Sequence, residues 1–297
     1  MGNNTPTFSL VVIGYNTEKL LENLLISIQK IIYPIDSMEV VYIDDGSTDN
    51  SLSLFENFEL NCNTKSFAFK KNMGRVYASD KGIKLATGEW ILNLQSNVVV
   101  DQNILNEYCT SINEGVVAVG GKIIYESEEQ KFEAYLNHAT RGINQYKQYE
   151  KIKYQHLIFG NCIIKQSVFQ NINLNLELTS YGGEELDFAY RLKDAFPQQI
   201  VACKTAIVTR VNHPKLKQHC LRLEEFGKIN FPLLNTTLQQ GIIQHRFLLK
   251  KNFILKYLFL FLNWGSFKLY QIGLGYFIVI RMVMLTSILK GYYKNTK

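Results

Sequence analysis

Over its first hundred residues the chain alternates between short apolar runs and longer stretches whose apolar residues recur at helical spacing. FSLVVIGY (8–15) is a β-branched apolar run that predicts a strand. Across 17–32, Leu20, Leu21, Leu24, Leu25, Ile28 and Ile31 mark one helical face. MEVVYID (38–44) predicts a second strand, closed by Asp45-Gly46-Ser47 and followed by a short helix. FAFK (66–69) predicts a third strand, 74–86 a helix, and EWILNL (89–94), entered from Gly88, a fourth strand. This alternation implies an α/β architecture with a parallel sheet covered by helices on both faces. Such sheets bind ligands beyond the carboxyl ends of their strands. Gly14-Tyr15-Asn16, Asp44-Asp45-Gly46-Ser47 and Gln95-Ser96-Asn97 are therefore predicted to share one edge.

Composition refines this picture. The chain has 297 residues, 46% of them hydrophobic, enough for one large core or two small ones. No segment has linker composition and no repeat is visible. The net charge of +6 conceals a split. Residues 1–225 carry 22 Lys/Arg against 26 Asp/Glu, whereas 226–297 carry 10 Lys/Arg and no acid. A cationic, acid-free, aromatic-rich tail points to an anionic membrane surface rather than to nucleic acid. Cys62, Cys109, Cys162, Cys203 and Cys220 are scattered, with no metal-ligand spacing, and read as reduced thiols. The N-terminus lacks the basic-then-apolar order of a signal peptide.

Three stretches carry candidate chemistry. In DDGSTD (44–49), adjacent acids at a strand end need donors, and a carboxylate accepts from both a base N–H and a ribose O–H. Ser47 or Asp49 is also suited to capping the next helix, which leaves Asp45 as the better ligand candidate. In GGEELDFAYRL (182–192), Glu184, Glu185 and Asp187 sit in the first turn of a predicted helix. The helix dipole alone favours acids there. Crowding also raises at least one pKa, as a general base requires. The third stretch, 195–223, contains no acid and holds Arg210, His213, Lys215, Lys217, His219 and Arg222. Pro214 suggests a mobile loop before a helix at 218–230. Its cations would suit a departing diphosphate, a solvated basic face or lipid headgroups, while His213 and His219 without nearby acids make a poor metal site.

FSLVVIGYN, EVVYIDDGSTDNS, NMGRVYASDKGIKLATGEWILNL and GGEELDFAYRLK, in this order, resemble a family 2 glycosyltransferase of GT-A fold across 8–210. The resemblance implies inverting transfer of a sugar from a nucleotide diphosphate donor. It places Tyr15 and Asp45 around the base, with Gly14, Glu18 and Asp44 near them, and Gly74 and Arg75 in a segment closing over it. Asp80 falls where the family usually has Asn. Glu184 and Glu185 match the family's Glu-Asp pair, so Glu185 becomes the general base.

One match fails. The family's Asp-x-Asp, which holds a divalent cation on the donor, is here Gln95-Ser96-Asn97. An amide oxygen is a poor ligand for a hard cation. Three readings stay open: the diphosphate is neutralised without a protein-held metal, donor chemistry has been lost, or Asn97 is a weak ligand to Mn or Mg riding on the diphosphate. Arg210, His213, Lys215 and Lys217 are the candidate diphosphate contacts under the first.

The tail lies outside the resemblance. In KKNFILKYLFLFLNW (250–264), Asn252, Lys256 and Asn263 fall near one face. LYQIGLGYFIVIRMVMLTSIL (269–289) is long enough to span a bilayer, but Arg281, Gly273 and Gly275 argue against that. Two amphipathic helices in the membrane interface are expected, with packing on the catalytic domain or homodimerisation as alternatives. Walker, zinc-site and Gly-x-Ser-x-Gly patterns are missing, as is the Gln-x-x-Arg-Trp of the family's processive members. The expectation is a GT-A domain over 1–225, its nucleotide half about 1–110 and its acceptor half about 111–225, and a basic helical tail over 226–297. Its function would be transfer of one sugar from a UDP-sugar to a lipid-linked or surface-polysaccharide acceptor, peripherally at the cytoplasmic face of a bacterial inner membrane. The alternative is a catalytically silent binding subunit of a glycan assembly complex.

Overall fold

The computed structural model describes residues 5–250 and 253–294. The chain runs β1 (Phe8–Gly14), α1 (Glu18–Gln29), β2 (Met38–Asp44), α2 (Ser51–Asn57), β3 (Asn63–Ala68), α3 (Arg75–Leu85), β4 (Trp90–Gln95), β5 (Val98–Val100), α4 (Ile104–Ser111) and β6 (Ala118–Tyr125). It continues through α5 (Gln130–Leu136), β7 (Cys162–Lys165), α6 (Glu184–Ala195), β8 (Ile200–Arg210), α7 (Leu216–Lys228), α8 (Thr236–Ile243), α9 (Phe253–Gln271) and α10 (Tyr276–Tyr293). Eight strands form one sheet in the order β3-β2-β1-β4-β7-β6-β8-β5. The first four are parallel, as the sequence pattern predicts. The other half is mixed: β7 runs antiparallel to β4 and β6, and β5 antiparallel to β8.

Alternation along β1 explains burial on both faces. Phe8, Leu10 and Val12 enter one core with Leu21, Leu24 and Trp90, while Val11 enters the other with Ile43, Ile83 and Phe188. β3 is an edge strand and starts earlier than FAFK predicts. Its polar start pairs in register with β2, Asn63 opposite Glu39, and Lys65 reaches Glu39 at 2.7 Å. At the carboxyl ends Gly14 lies opposite Asp44 and Ile13 opposite Gln95. The strand order reverses at β1 and β4, which makes this edge the switch point where a crevice opens.

The tail forms two helices, as the sequence leads one to expect. The apolar stretch 269–289 is not continuous, because the chain turns between Gln271 and Tyr276, with Gly273 and Gly275 at positive φ. α10 packs on α7 backbone to backbone. A Cβ at Gly227 would lie 2.0 Å from the Ile288 carbonyl oxygen, and one at Gly291 1.9 Å from that of Glu224. Lys290 pairs with Glu224 at 2.8 Å, and the Tyr270 hydroxyl donates to Glu129 at 2.6 Å. α10 is the one helix among the described residues long and apolar enough to cross a membrane, and nearly half of it is buried against protein. α9 differs: Phe253, Tyr257, Phe261 and Trp264, at spacings of a single helical face, are all more than half exposed. Asn263 turns inward and donates to Thr286 and Ser287, whereas Asn252 lies outside the described residues.

Candidate active site

The crevice at the switch point has a volume of about 510 Å³. Its floor is Gly14, Tyr15, Asn16 and Thr17 from the end of β1, with Asp45 after β2 and Gln95-Ser96-Asn97 after β4. Gly74 and Arg75 cover one side, and Tyr181, Arg210, Arg222 and Glu225 the other. The three strand-end stretches picked out by pattern alone thus meet in one place.

Asp45 is buried and accepts from the backbone N–H groups of Met73 (2.8 Å) and Gly74 (3.0 Å). Burial, and then neighbouring Asp44, push its pKa up, while these two donors pull it back. Gly74 adopts φ +96°, and a Cβ there would lie 2.5 Å from the Thr179 carbonyl oxygen, so no other residue fits. Two expected base-site residues face elsewhere. Asp44 turns inward to accept from the Ser47 N–H at 2.7 Å. Glu18 accepts from the Asn50 side chain at 2.9 Å and from its N–H, at the start of α2, and does not line the crevice. Asp49 accepts from the Ser51 N–H at 3.1 Å and the Glu18 N–H at 3.1 Å, tying α2 to α1.

The first turn of α6 separates its acids. Glu184 forms an ion pair with Arg75. Asp187 pairs with Arg191 at 2.7 Å. Glu185 has one hydrogen bond among the described residues, from the Phe159 N–H at 2.9 Å. Its pKa is pushed up to about 7, first by burial and then by Glu184, against the pull of Arg75, the Phe159 N–H and Arg210. The residue after Phe159, Gly160, has its missing Cβ position 3.8 Å from the Gln95 amide. The double glycine that precedes these acids packs against Phe226. A Cβ at Gly183 would lie 2.9 Å from the Phe226 ring.

Arg210, the last residue of β8, lies opposite Val98 and donates to the Gln95 side-chain oxygen at 2.5 Å. The other expected diphosphate contacts are not brought there. Lys215 is exposed and pairs with Glu128 at 2.8 Å, and Lys217 is exposed on α7. His213 is buried against Tyr125, Phe132 and His219. Burial, then Arg210, push its pKa down to about 3, and that of His219 to about 4. The expected mobile loop is instead anchored, with the His213 N–H on the Glu126 carbonyl at 2.8 Å and the Leu216 N–H on Glu129 at 2.6 Å. Sequence reasoning missed Tyr181 and Glu225, and noted Arg222 only as one cation in a run. The adjoining Gly182-Gly183 was the available signal for Tyr181.

The residues at the Asp-x-Asp position do not fit a protein-held divalent cation. Both side chains are neutral amides, and the Gln95 oxygen already accepts from a guanidinium. Among the described residues no group of three or more His, Cys, Asp or Glu side chains is placed to hold a metal.

A crevice at the switch point of the sheet, with an elevated carboxyl behind it, suits group transfer, and the comparisons give the class: the chain is a glycosyltransferase. It belongs to the family described as Glycosyl transferase family 2, whose model matches residues 9–172, more than half of the chain. It is 30% identical over 131 residues to the glycosyltransferase GlyG of Streptococcus pneumoniae, covering 43% of each chain. It is 32% identical over 108 residues to the poly(ribitol-phosphate) β-N-acetylglucosaminyltransferase TarS of Staphylococcus aureus, covering 36% of this chain and 19% of TarS. These matches span less than half the length of either relative. Among solved structures, S. aureus TarS 1–349 in complex with UDP superposes with a TM-score of 0.60 at 19% identity, over 96% of this chain and 91% of that one. The mannosyltransferase PcManGT from Pyrobaculum calidifontis, in complex with GDP-Man and Mn2+, superposes with a TM-score of 0.60 at 16% identity, over 78% and 64%.

Proposed function

We propose that this protein transfers one sugar, with inversion, from a UDP-sugar to a surface-polysaccharide or lipid-linked acceptor. The observation that carries the reading is the placement of Glu185 just behind a crevice built from the ends of β1, β2 and β4, next to Glu184, which pairs with the crevice's Arg75, and held by the Phe159 N–H, with its carboxyl elevated by burial. A base with a pKa near 7 is well matched to neutral pH. In the reaction the acceptor hydroxyl passes its proton to Glu185 as its oxygen bonds to the anomeric carbon. The bond from that carbon to the donor phosphate breaks, and its electron pair leaves on the nucleoside diphosphate. Arg75 holds Glu184 and so keeps Glu185 the free member of the pair. Tyr15 and Asp45 line the crevice and are taken to hold the base, and Asp45 orders the 73–74 backbone. The name of TarS, and its solved complexes with UDP and UDP-GlcNAc, support a UDP-linked donor and a glycan-type acceptor. The exposed apolar face of α9, in a tail without acids, supports peripheral attachment to an anionic membrane, for which we propose the cytoplasmic face.

The test is release of UDP from a panel of UDP-sugars by the full-length chain, with glycan and lipid-linked acceptors, compared with Glu185→Ala. Turnover that depends on Glu185 supports the reading. The missing carboxylates at 95 and 97 favour a second one, a silent binding subunit. Nucleotide binding without any turnover, unchanged by Glu185→Ala, would establish that one instead.

A further inference from the structure

Two of the three arginines that line the crevice form no ion pair among the described residues, and Arg210 sits where the resemblance places a cation. We propose that Arg210 and Arg222 form a metal-independent anion site for the donor diphosphate, with Gln95 as the positioning residue that aims Arg210. This rests on the transferase reading above.

Arg75, the third arginine of the crevice, is committed to Glu184. Among the described residues Arg210 and Arg222 form no ion pair. Arg210 Nε is buried and has no hydrogen-bond partner among the described residues, while the guanidinium is held on Gln95. Arg222 approaches from α7, its guanidinium 5.7 Å from the centre of the Tyr181 ring. The two acids that line the crevice have other partners. Asp45 faces two backbone N–H groups, and Glu225 accepts from the Ser180 hydroxyl at 2.8 Å.

This arrangement gives a reason for glutamine at position 95. A carboxylate there would neutralise Arg210. The amide oxygen fixes the guanidinium through a hydrogen bond and leaves its charge for a ligand. A guanidinium fork matches phosphate oxygens in pairs. When the anomeric bond breaks, the electron pair passes to the phosphate oxygen, and fixed cations beside it stabilise the charge as it forms. β5 sets the geometry: it follows Asn97 directly and pairs antiparallel with β8, so the end of β8 is delivered to the end of β4.

Calorimetric titration of the full-length protein with UDP, UMP, GDP and GMP, in EDTA and in Mn2+, tests the site. One diphosphate is expected to bind in EDTA at least about tenfold more tightly than its monophosphate, with Mn2+ changing this by less than about threefold. Arg222→Ala, at an exposed position that cannot unfold the sheet, is expected to remove about tenfold of diphosphate affinity and leave the monophosphate unaffected. Arg210→Gln should act similarly, with partial recovery in Arg210→Lys. The double substitution Gln95→Asp, Asn97→Asp should introduce Mn2+ dependence. Diphosphate binding that requires Mn2+ in the parent, or that survives both arginine substitutions unchanged, overturns the proposal while leaving the transferase reading intact. Failure of all four nucleotides under both conditions overturns both.

Discussion

The two ends of the crevice are built in different ways. At the Asp45 end the contacts are largely with backbone. Asp45 holds the N–H groups of Met73 and Gly74, and Gly74 presses on the Thr179 carbonyl so closely that no side chain fits. At the Gln95 end the contacts are between side chains, with Arg210 on Gln95 and Arg222 beside Tyr181. Backbone geometry tolerates little substitution. A side-chain pair can be exchanged for another of different charge so long as strand register holds. This difference accounts for a chain that keeps its motif at 44–49 yet carries amides at 95 and 97.

The largest effect is expected at Glu185, behind the crevice. Glu185→Ala should lower turnover by about 100- to 10,000-fold and leave nucleotide affinity unchanged, measured by UDP release and calorimetry. The parent's kcat/KM should rise with pH and level off above about 7, because only the deprotonated carboxyl can take the acceptor's proton. At the backbone end, Asp45→Ala leaves two N–H groups without their charged acceptor. The cost is about 1.5–3 kcal/mol per charge-assisted bond, and UDP affinity should fall about tenfold or more in calorimetry. Unchanged affinity would remove Asp45 from the binding site.

The fold was legible where local pattern and topology agree. Leu10, Val11 and Val12 read as a strand buried on both sides, and the switch-point rule then placed Gly14, Asp45 and Gln95 together. Arg210 was visible as a cation in an acid-free run, but its bond to Gln95 depends on β5 pairing with β8, across more than a hundred residues, which no periodicity reveals. Lys215 and Lys217 drew attention because Pro214 suggested a loop free to close. Capping of α7 by Glu129 fixes that segment facing away. Glu18 and Asp44 were assigned by motif, and both proved to be fastened to the turn before α2. In the tail, apolar content alone could not separate the packed α10 from the exposed face of α9. Gly227 and Gly291, which let α7 and α10 touch, were the unread signal.

Smaller effects sharpen the same contrast. Flotation of the parent with anionic vesicles is expected to weaken with salt, and replacing Phe261 and Trp264 by Ser should reduce it severalfold while leaving UDP affinity unchanged. Flotation unaffected by the pair would remove α9 as the contact. The smallest effect belongs to Lys215→Ala with Lys217→Ala, which should change UDP affinity by less than about twofold, because exposed pairs such as Lys215–Glu128 contribute little and lie outside the crevice.

The central claim is that a fixed guanidinium pair, rather than a protein-held metal, receives the leaving diphosphate. Its most direct test is the rate of UDP release from the preferred UDP-sugar, with acceptor, in excess EDTA and then in Mn2+. The account predicts rates in EDTA within about threefold of those in Mn2+, and a loss of about tenfold or more in Arg210→Gln under both conditions. Turnover abolished by EDTA, restored by Mn2+ and indifferent to Arg210 would contradict it.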